Sequence, residues 1–464
     1  MNIFRPLLAV LILFIPLYPK FPLINFPNTY VALRLDDIVI GLIFIFWLIR
    51  QFKSRFPIFK EKITWFFLAY FLAITSSTLT AILIYQTDPI NILLLHLFRR
   101  FEYISLFFIA LEAINSKKDL LYPYLLLLLS VTGIAIYGYG QKYLQFPVIS
   151  TMNEEFSKGQ LLQMNIWTRI SSTFAGHYDL AAYLSLILIV ILGVMLIYKN
   201  LFLRIFSLIL FLIGFHLLTL TASRISIFAF WGGSILSLFL IRKYLWIIPV
   251  SILVILSMVQ SVDLNQRLLA TLPLFKIKPT PTFKPIPTTI LTPIPTVSTR
   301  PTPSPIPLPT VKPIPTIIRH GPIEEYVPVD ADVGVARSGE IRFNVEWPRA
   351  VAAFRKNPIS GSGLGSISLA TDNDYLRLLG ESGLMGLLTF FFPFLYLLVH
   401  SLRLIKTKKP DSSIYLELTF IGVIFSALIN AIFIDIFEAS KVAYTFWILF
   451  AVYHQLSKFN QKRQ

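Results

Sequence analysis

Twelve apolar runs, most of them close to a membrane's thickness when wound as helices, occupy the greater part of this chain. They fall at about 3–19, 36–50, 63–84, 91–112, 120–138, 178–198, 201–220, 225–241, 244–262, 382–400, 413–434 and 440–457. A helix rises about 1.5 Å per residue, so about 20 apolar residues cross the ~30 Å of bilayer hydrocarbon. Only helices and closed barrels can satisfy their backbone polar groups there. The charge content agrees: 14% of residues are Asp, Glu, Lys or Arg, against roughly 25% in a soluble globular chain. The expected fold class is therefore an all-α polytopic membrane protein of about 12 transmembrane helices.

The net charge is +17. In a soluble protein it would point to nucleic acid; here Lys and Arg mark cytoplasmic loops and meet anionic lipid, so no nucleic-acid partner is expected. Basic clusters follow the even-numbered runs: Arg50, Lys53 and Arg55; Lys117 and Lys118; Lys199 and Arg204; Arg242 and Lys243; Arg403 and Lys406; Lys458, Lys462 and Arg463. With twelve spans every cluster lies on one side, which puts both termini in the cytoplasm. The N-terminal run, with one Arg and no small-residue cleavage site, reads as a first span rather than a cleaved signal. The chain divides into helices 1–9 over residues 1–262, an extracytoplasmic loop over 263–381 and helices 10–12 over 382–464. Having no cysteine, the chain offers neither disulfides nor thiol catalysis. Its 6 histidines show no pair at ligand spacing, so neither a metal nor another cofactor is expected.

Within the loop, 273–316 repeats phrases such as PTPT, PIPT and PSPIPLPT. Proline fixes φ and removes a donor, so this tract reads as extended spacer rather than packed structure. A stalk, a glycosylated Thr tract or a tether to anionic polymer are sharper alternatives that the composition leaves open. Residues 337–381 regain structured character. Pro348 suggests a helix starting near Trp347, and Asn357-Pro358 its stop. That helix carries Trp347 and Arg349, near Arg342, a composition suited to a membrane interface.

Three further places put polar groups where apolar residues prevail. The fourth run holds His96, Arg99, Arg100 and Glu102. Spacing allows an internal Arg99–Glu102 pair with the others snorkelling, or a charged cavity lining. Arg169, His177 and Asp179 precede the sixth run. His177 suits a general base, with a helix-start surface group as the plainer alternative. Arg224 occupies a short polar turn between runs seven and eight, a good place for an anion-binding guanidinium.

The stretch WPRAVAAFRKNPISGSGLGS followed by DNDYLRLLGESGLMG resembles the hallmark segment of the bacterial O-antigen ligase and polysaccharide polymerase superfamily. The shared pattern is an Arg/Trp helix, Asn-Pro, a Gly-x-Gly-x-Gly turn, and a His-Asn or Asp-Asn pair before Tyr-Leu and Glu-x-Gly-Leu. RISSTFAGHYDLAAYL and LTASRIS resemble two other segments of that superfamily, and together these cover about a quarter of the chain. The proline tract is outside the pattern. The resemblance implies a metal-independent glycosyltransferase of the bacterial cytoplasmic membrane. Its partners would be an undecaprenyl-diphosphate-linked glycan donor, a glycan acceptor, the lipid bilayer, and a chain-length regulator or flippase of the same pathway. By the same resemblance Arg224, Arg169 and Arg342 would hold the diphosphate, with Arg349, Arg99 and Arg100 in support. Asp372, Asn373 and His177 would form the catalytic set.

Asp372 stands where the ligase branch has His. As a helix N-cap its pKa would be lowered by the helix dipole, which makes a poorer base; desolvation would act the other way. Asp-Asn looks more like the polymerase branch, so polymerisation of repeat units ranks ahead of ligation to a lipid, protein or wall acceptor. A lipid-linked glycan flippase is the competitor from another class. It predicts charges lining the span interiors, whereas here most polar residues gather at one face. A non-catalytic anchor displaying the proline stalk would leave those motifs unexplained.

Overall fold

The computed structural model describes residues 3–19, 21–25, 32–86, 89–149, 161–162, 169–260, 341–367, 371–406 and 410–461. The proline-rich tract 273–316 and Arg337 lie outside the described residues. Thirteen α-helices are described. The first nine are α1 (Phe4–Leu17), α2 (Leu35–Lys53), α3 (Lys62–Leu83), α4 (Ile90–Ala113), α5 (Leu121–Leu144), α6 (His177–Ile197), α7 (Leu201–Leu220), α8 (Arg224–Leu240) and α9 (Ile247–Gln260). After the long loop come α10 (Trp347–Lys356), α11 (Asp374–Leu404), α12 (Ser412–Asn430) and α13 (Ser440–Gln461). Two short antiparallel hairpins pair β1 (Pro22–Asn25) with β2 (Ala32–Arg34), and β3 (Val148–Ile149) with β4 (Leu161–Leu162).

One helix lies over each of the twelve apolar runs; α10 is the additional, amphipathic one. Among the described residues, six helical stretches are long and apolar enough to cross a membrane: α3, α5 with its leading turn, α6, α7, α11 and α12. Helices α1, α8 and α9 are apolar but shorter. Helices α2, α4 and α13 carry more ionisable side chains, and several of these are buried against one another.

Helix α6 is the centre of the bundle. It is apolar on all sides, and every residue from Leu180 to Met195 is buried. An all-round apolar helix has no solvated face to offer and takes the middle position. It packs on α7, α8, α12 and α13. Helices α8 and α12 approach closely because Gly233 faces Gly422: a Cβ on Gly233 would stand 2.5 Å from the Gly422 carbonyl. Small residues allow such backbone contact, and polar side chains then join the helices. Ser237 donates to the Thr419 carbonyl (3.0 Å), Ser226 to Asn430 (2.8 Å), and Asn430 to Ser185 of α6 (3.0 Å). Away from this core, α7 presents Leu201, Phe202, Ile205, Ile209 and Leu212 outward. An apolar face of that extent fits contact with lipid.

Lys441, in the first turn of α13, is fully buried. Its ammonium donates to the carbonyls of Pro16 (3.0 Å), Tyr18 (2.6 Å) and Thr173 (2.7 Å), and lies over the Phe174 ring. One cation thereby joins α13 to the end of α1 and to the segment leading into α6. Replacing Lys441 by Ala strands three carbonyls, and is expected to cost about 3 kcal/mol. The check is the thermal midpoint of the detergent-solubilised protein, which should fall by several degrees; an unchanged midpoint would remove Lys441 as a clamp.

Candidate functional site

The stretch 371–373 is held by a carboxylate from another part of the chain. Asp435 sits in the turn between α12 and α13. It accepts the backbone N–H groups of Thr371 (2.9 Å), Asp372 (3.2 Å) and Asn373 (2.9 Å), and Arg377 Nη2 at 2.9 Å. Three successive N–H groups can converge because Asp372 adopts φ 48°, the left-handed conformation that forms an anion-binding nest. Burial works against the Asp435 charge. Arg377 and the N–H groups outweigh it and hold the carboxyl below the usual range. Further bonds fix the same junction: Asp374 N–H to the Ala431 carbonyl (2.9 Å) and Tyr375 Oη to the Leu428 carbonyl (2.8 Å).

The N-cap of α11 is Asn373, not Asp372. The Asn373 side chain accepts from Leu376 N (2.9 Å) and donates to the Ile432 carbonyl (3.0 Å). Its amide is thus occupied at both ends by local structure. Asp372, one residue earlier, is released from capping and turned towards Arg342. Arg342 Nε and Nη2 both donate to one Asp372 oxygen, at 2.9 and 2.7 Å. The pKa of Asp372 lies above the ordinary carboxylate value, not below it. Burial is the main cause, opposed by Arg342 and reinforced by the charge of Asp435.

Arg342 opens a short π-helical segment, Arg342–Glu346, that runs into α10. Glu346, one turn beyond Arg342, has its carboxyl pushed up to about 7, by burial first and by Asp372 next. Its Oε2 is buried and has no hydrogen-bond partner among the described residues. Arg349 is within electrostatic reach of Glu346, and Tyr178, beside His177, within reach of Arg342. The start of α6 therefore faces the Arg342–Asp372 pair.

Arg169 donates from Nη1 to His177 Nε2 at 2.8 Å, since a guanidinium has only donors. That lone pair is the one a general base would use, so in this arrangement His177 orients Arg169 instead. The cap of α6 is Gly176, and His177 is half-buried rather than a surface group. Arg224 is the first residue of α8. Half a turn on, Ser226 bonds Asn430, the residue before the Ala431 carbonyl that receives Asp374 N–H. This places Arg224 at the same end of the bundle as Asp372.

The ionic residues of α4 support the site from behind, and their partners are distant in sequence. Arg100 donates to the Phe437 carbonyl (2.9 Å) and pairs with Glu438, while Tyr103 Oη bonds the Glu438 carbonyl (3.0 Å). They brace the turn that carries Asp435. Arg99 lies 3.4 Å from Asp37 of α2, an ion pair that crosses helices, and its charge also reaches Glu102 on α4.

The glycine turn after α10 is a clamp. Ser362 N–H bonds the Gly380 carbonyl (3.0 Å) and Gly363 N–H that of Glu381 (2.9 Å). In return Leu384 N–H bonds Pro358 (2.9 Å) and Met385 N–H bonds Ile359 (3.1 Å). These four bonds straddle a break in α11 at Gly383, where φ is 65° and ψ −168°. A Cβ there would lie 2.5 Å from the Ile359 carbonyl carbon, so both conformation and contact require glycine. The clamp sets α10 beside α11. Between them opens a cavity of 890 Å³ lined by Phe343, Trp347, Val351, Arg355, Asn373 and Tyr375.

Sequence reading missed Asp435, Glu346 and Tyr178. A signal existed for Asp435: with Glu438 it puts two carboxylates into the apolar junction of runs eleven and twelve, where charge is costly without a partner. The chain matches no family model, and no curated protein matches it.

Removing the Asp435 carboxylate should loosen the nest. For Asp435→Ala the expected loss of anchoring is about 3 kcal/mol. Amide exchange at Thr371, Asp372 and Asn373 should then accelerate by about a hundredfold, as read by hydrogen exchange in detergent. Unaltered exchange there would show that the turn holds itself.

Proposed function

We propose that this chain is a twelve-span glycosyltransferase of the bacterial cytoplasmic membrane with both termini in the cytoplasm. It takes undecaprenyl-diphosphate-linked glycan and polymerises repeat units of a surface polysaccharide on the extracytoplasmic face. The observation that carries this reading is the Arg342–Asp372 pair: a guanidinium and a carboxylate of raised pKa, with Tyr178 in reach of Arg342, at the bundle end that also carries Arg224 and Arg169. The motif resemblance supplies the substrate class.

In this reading the acceptor hydroxyl attacks C1 of the donor sugar. The C1–O bond to the diphosphate breaks as the new C1–O bond forms, and the hydroxyl proton passes to the Asp372 carboxylate. Negative charge grows on the leaving diphosphate. Arg342 and Arg224 stabilise it without rearrangement, and more strongly in a partly desolvated cleft. Arg342 holds Asp372 ionised and aimed before substrate arrives, and the arriving diphosphate shares the guanidinium. The cavity between α10 and α11 gives the glycan or its lipid an approach to Asp372 past Asn373.

The deciding experiment supplies a purified lipid-linked repeat unit to the protein in proteoliposomes. A ladder of lipid-linked oligomers is the expected product. Transfer to a separate acceptor would make the protein a ligase, and translocation with no new glycosidic bond would end the transferase reading. Arg224→Ala should lower turnover by about two to three orders of magnitude, as for loss of one charge-stabilising donor, with membrane insertion intact.

The pH dependence has a definite sign. Asp372 accepts a proton only when ionised, so kcat/KM should fall tenfold per unit on the acid side of its folded pKa, which lies above 3.8. Arg342 lowers that pKa. In Arg342→Gln the acid limb should therefore move to higher pH, besides any loss of rate. An acid limb that persists in Asp372→Asn but is lost in Glu346→Gln, whose carboxyl Arg342 also reaches, would transfer the base role to Glu346.

A further inference from the structure

At the end of α11 remote from Asp372, a second groove runs between α3 and α11. It has a volume of 360 Å³ and is lined by Phe66, Phe392, Leu395, Tyr396, Val399, His400 and Arg403. The Phe66 ring lies 5.4 Å from Tyr396 and 6.2 Å from Phe392. Leu395 is 58% exposed and Val399 44%, so the groove opens sideways, towards lipid rather than into the bundle. From Gly383 to Arg403 the helix climbs roughly 30 Å, the thickness of the hydrocarbon layer. The groove's polar end thus falls at the opposite membrane surface from the candidate site.

That polar end is basic. Arg403 is exposed and makes no ion pair among the described residues. His400 Nε2 is buried and has no hydrogen-bond partner among the described residues. Lys62 precedes Phe66 by one turn of α3 and shares its face. The neighbouring acid, Glu61, is committed to Lys458. An apolar, aromatic trough leading to uncompensated cations at a membrane surface has the charge pattern that selects an anionic head group over a zwitterionic one.

We propose that the α3–α11 groove is a binding site for an anionic glycerophospholipid of the leaflet that faces the basic loops. One acyl chain lies along Phe66, Phe392 and Leu395. The phosphodiester is held by the Arg403 guanidinium, with His400 beside it at the polar end of the groove. The site stands apart from the transferase reading and needs only that the helices cross a bilayer.

The chain has no cysteine, so Leu395→Cys introduces a single thiol for a fluorophore inside the groove. The labelled protein is placed in nanodiscs containing phosphatidylglycerol or phosphatidylcholine with the same brominated acyl chains. Phosphatidylglycerol is expected to be preferred about fivefold in quenching, in line with one additional cation–anion contact near a surface. Arg403→Ala with His400→Ala should bring the two lipids to parity, while Arg403→Lys should keep part of the preference. High salt should erode the preference in the unsubstituted background, a control that does not depend on any variant folding. Equal quenching by both lipids in that background overturns the proposal. So does a full preference that survives the double substitution.

Discussion

The carboxylate of Asp435 is the contact on which the rest of the site depends. It neutralises three backbone donors and one guanidinium at once. Three N–H groups pointing at one place repel one another unless an anion lies between them. With Asp435 present, the chain at Asp372 can take a left-handed turn and Asn373 can cap α11. Asp372 is then free to pair with Arg342. One acid thus holds the backbone turn, and its neighbour is left to face Arg342.

The same economy runs through the ionic residues behind the site. Arg377 serves Asp435 and Glu381, and Arg100 serves Glu438 and the Phe437 carbonyl. Buried ions are tolerated only when paired and hydrogen-bonded, and breaking one pair leaves a costly unmatched charge. Each pair here joins two different helices or a helix and a turn, with Arg377–Glu381 within α11 as the exception. The network fixes which helices adjoin at this end of the bundle, something that apolar contact in a lipid environment does poorly.

Much of the helical architecture was legible in the sequence because hydrophobic run length and punctuation are local signals. Each apolar run coincides with a helix, and Pro348 with Asn357-Pro358 brackets α10. The partners were not legible. Spacing allows Arg99 to reach Glu102, three residues away, or to line a cavity, but it cannot name Asp37, 62 residues away, with which Arg99 pairs across helices. Asp372 looked like an N-cap because caps are recognised by residue type, and Asn373 beside it is equally suited. Which of the two caps is decided by Asp435, 63 residues further on, and no periodicity carries that information. The direction of the Asp372 pKa was open for the same reason: a capping carboxylate is acidified by the helix and a buried one facing another acid is not, and burial is what decides it here.

The break at Gly383 gives α11 the mechanics of a pinned joint. The short rod from Asp374 to Ser382 is bonded to the α12–α13 turn, and the long rod from Leu384 to Leu404 stands in the apolar layer. The four backbone bonds to residues 358–363 form the pin. Helices in bilayers of different thickness adapt by tilting. In an unbroken α11 such a tilt would be transmitted along a stiff lever to Asp372. Because residues 358–363 bond to both rods beside the break, the heading of the short rod is set by that turn and by Asp435 and not by the axis of the long rod.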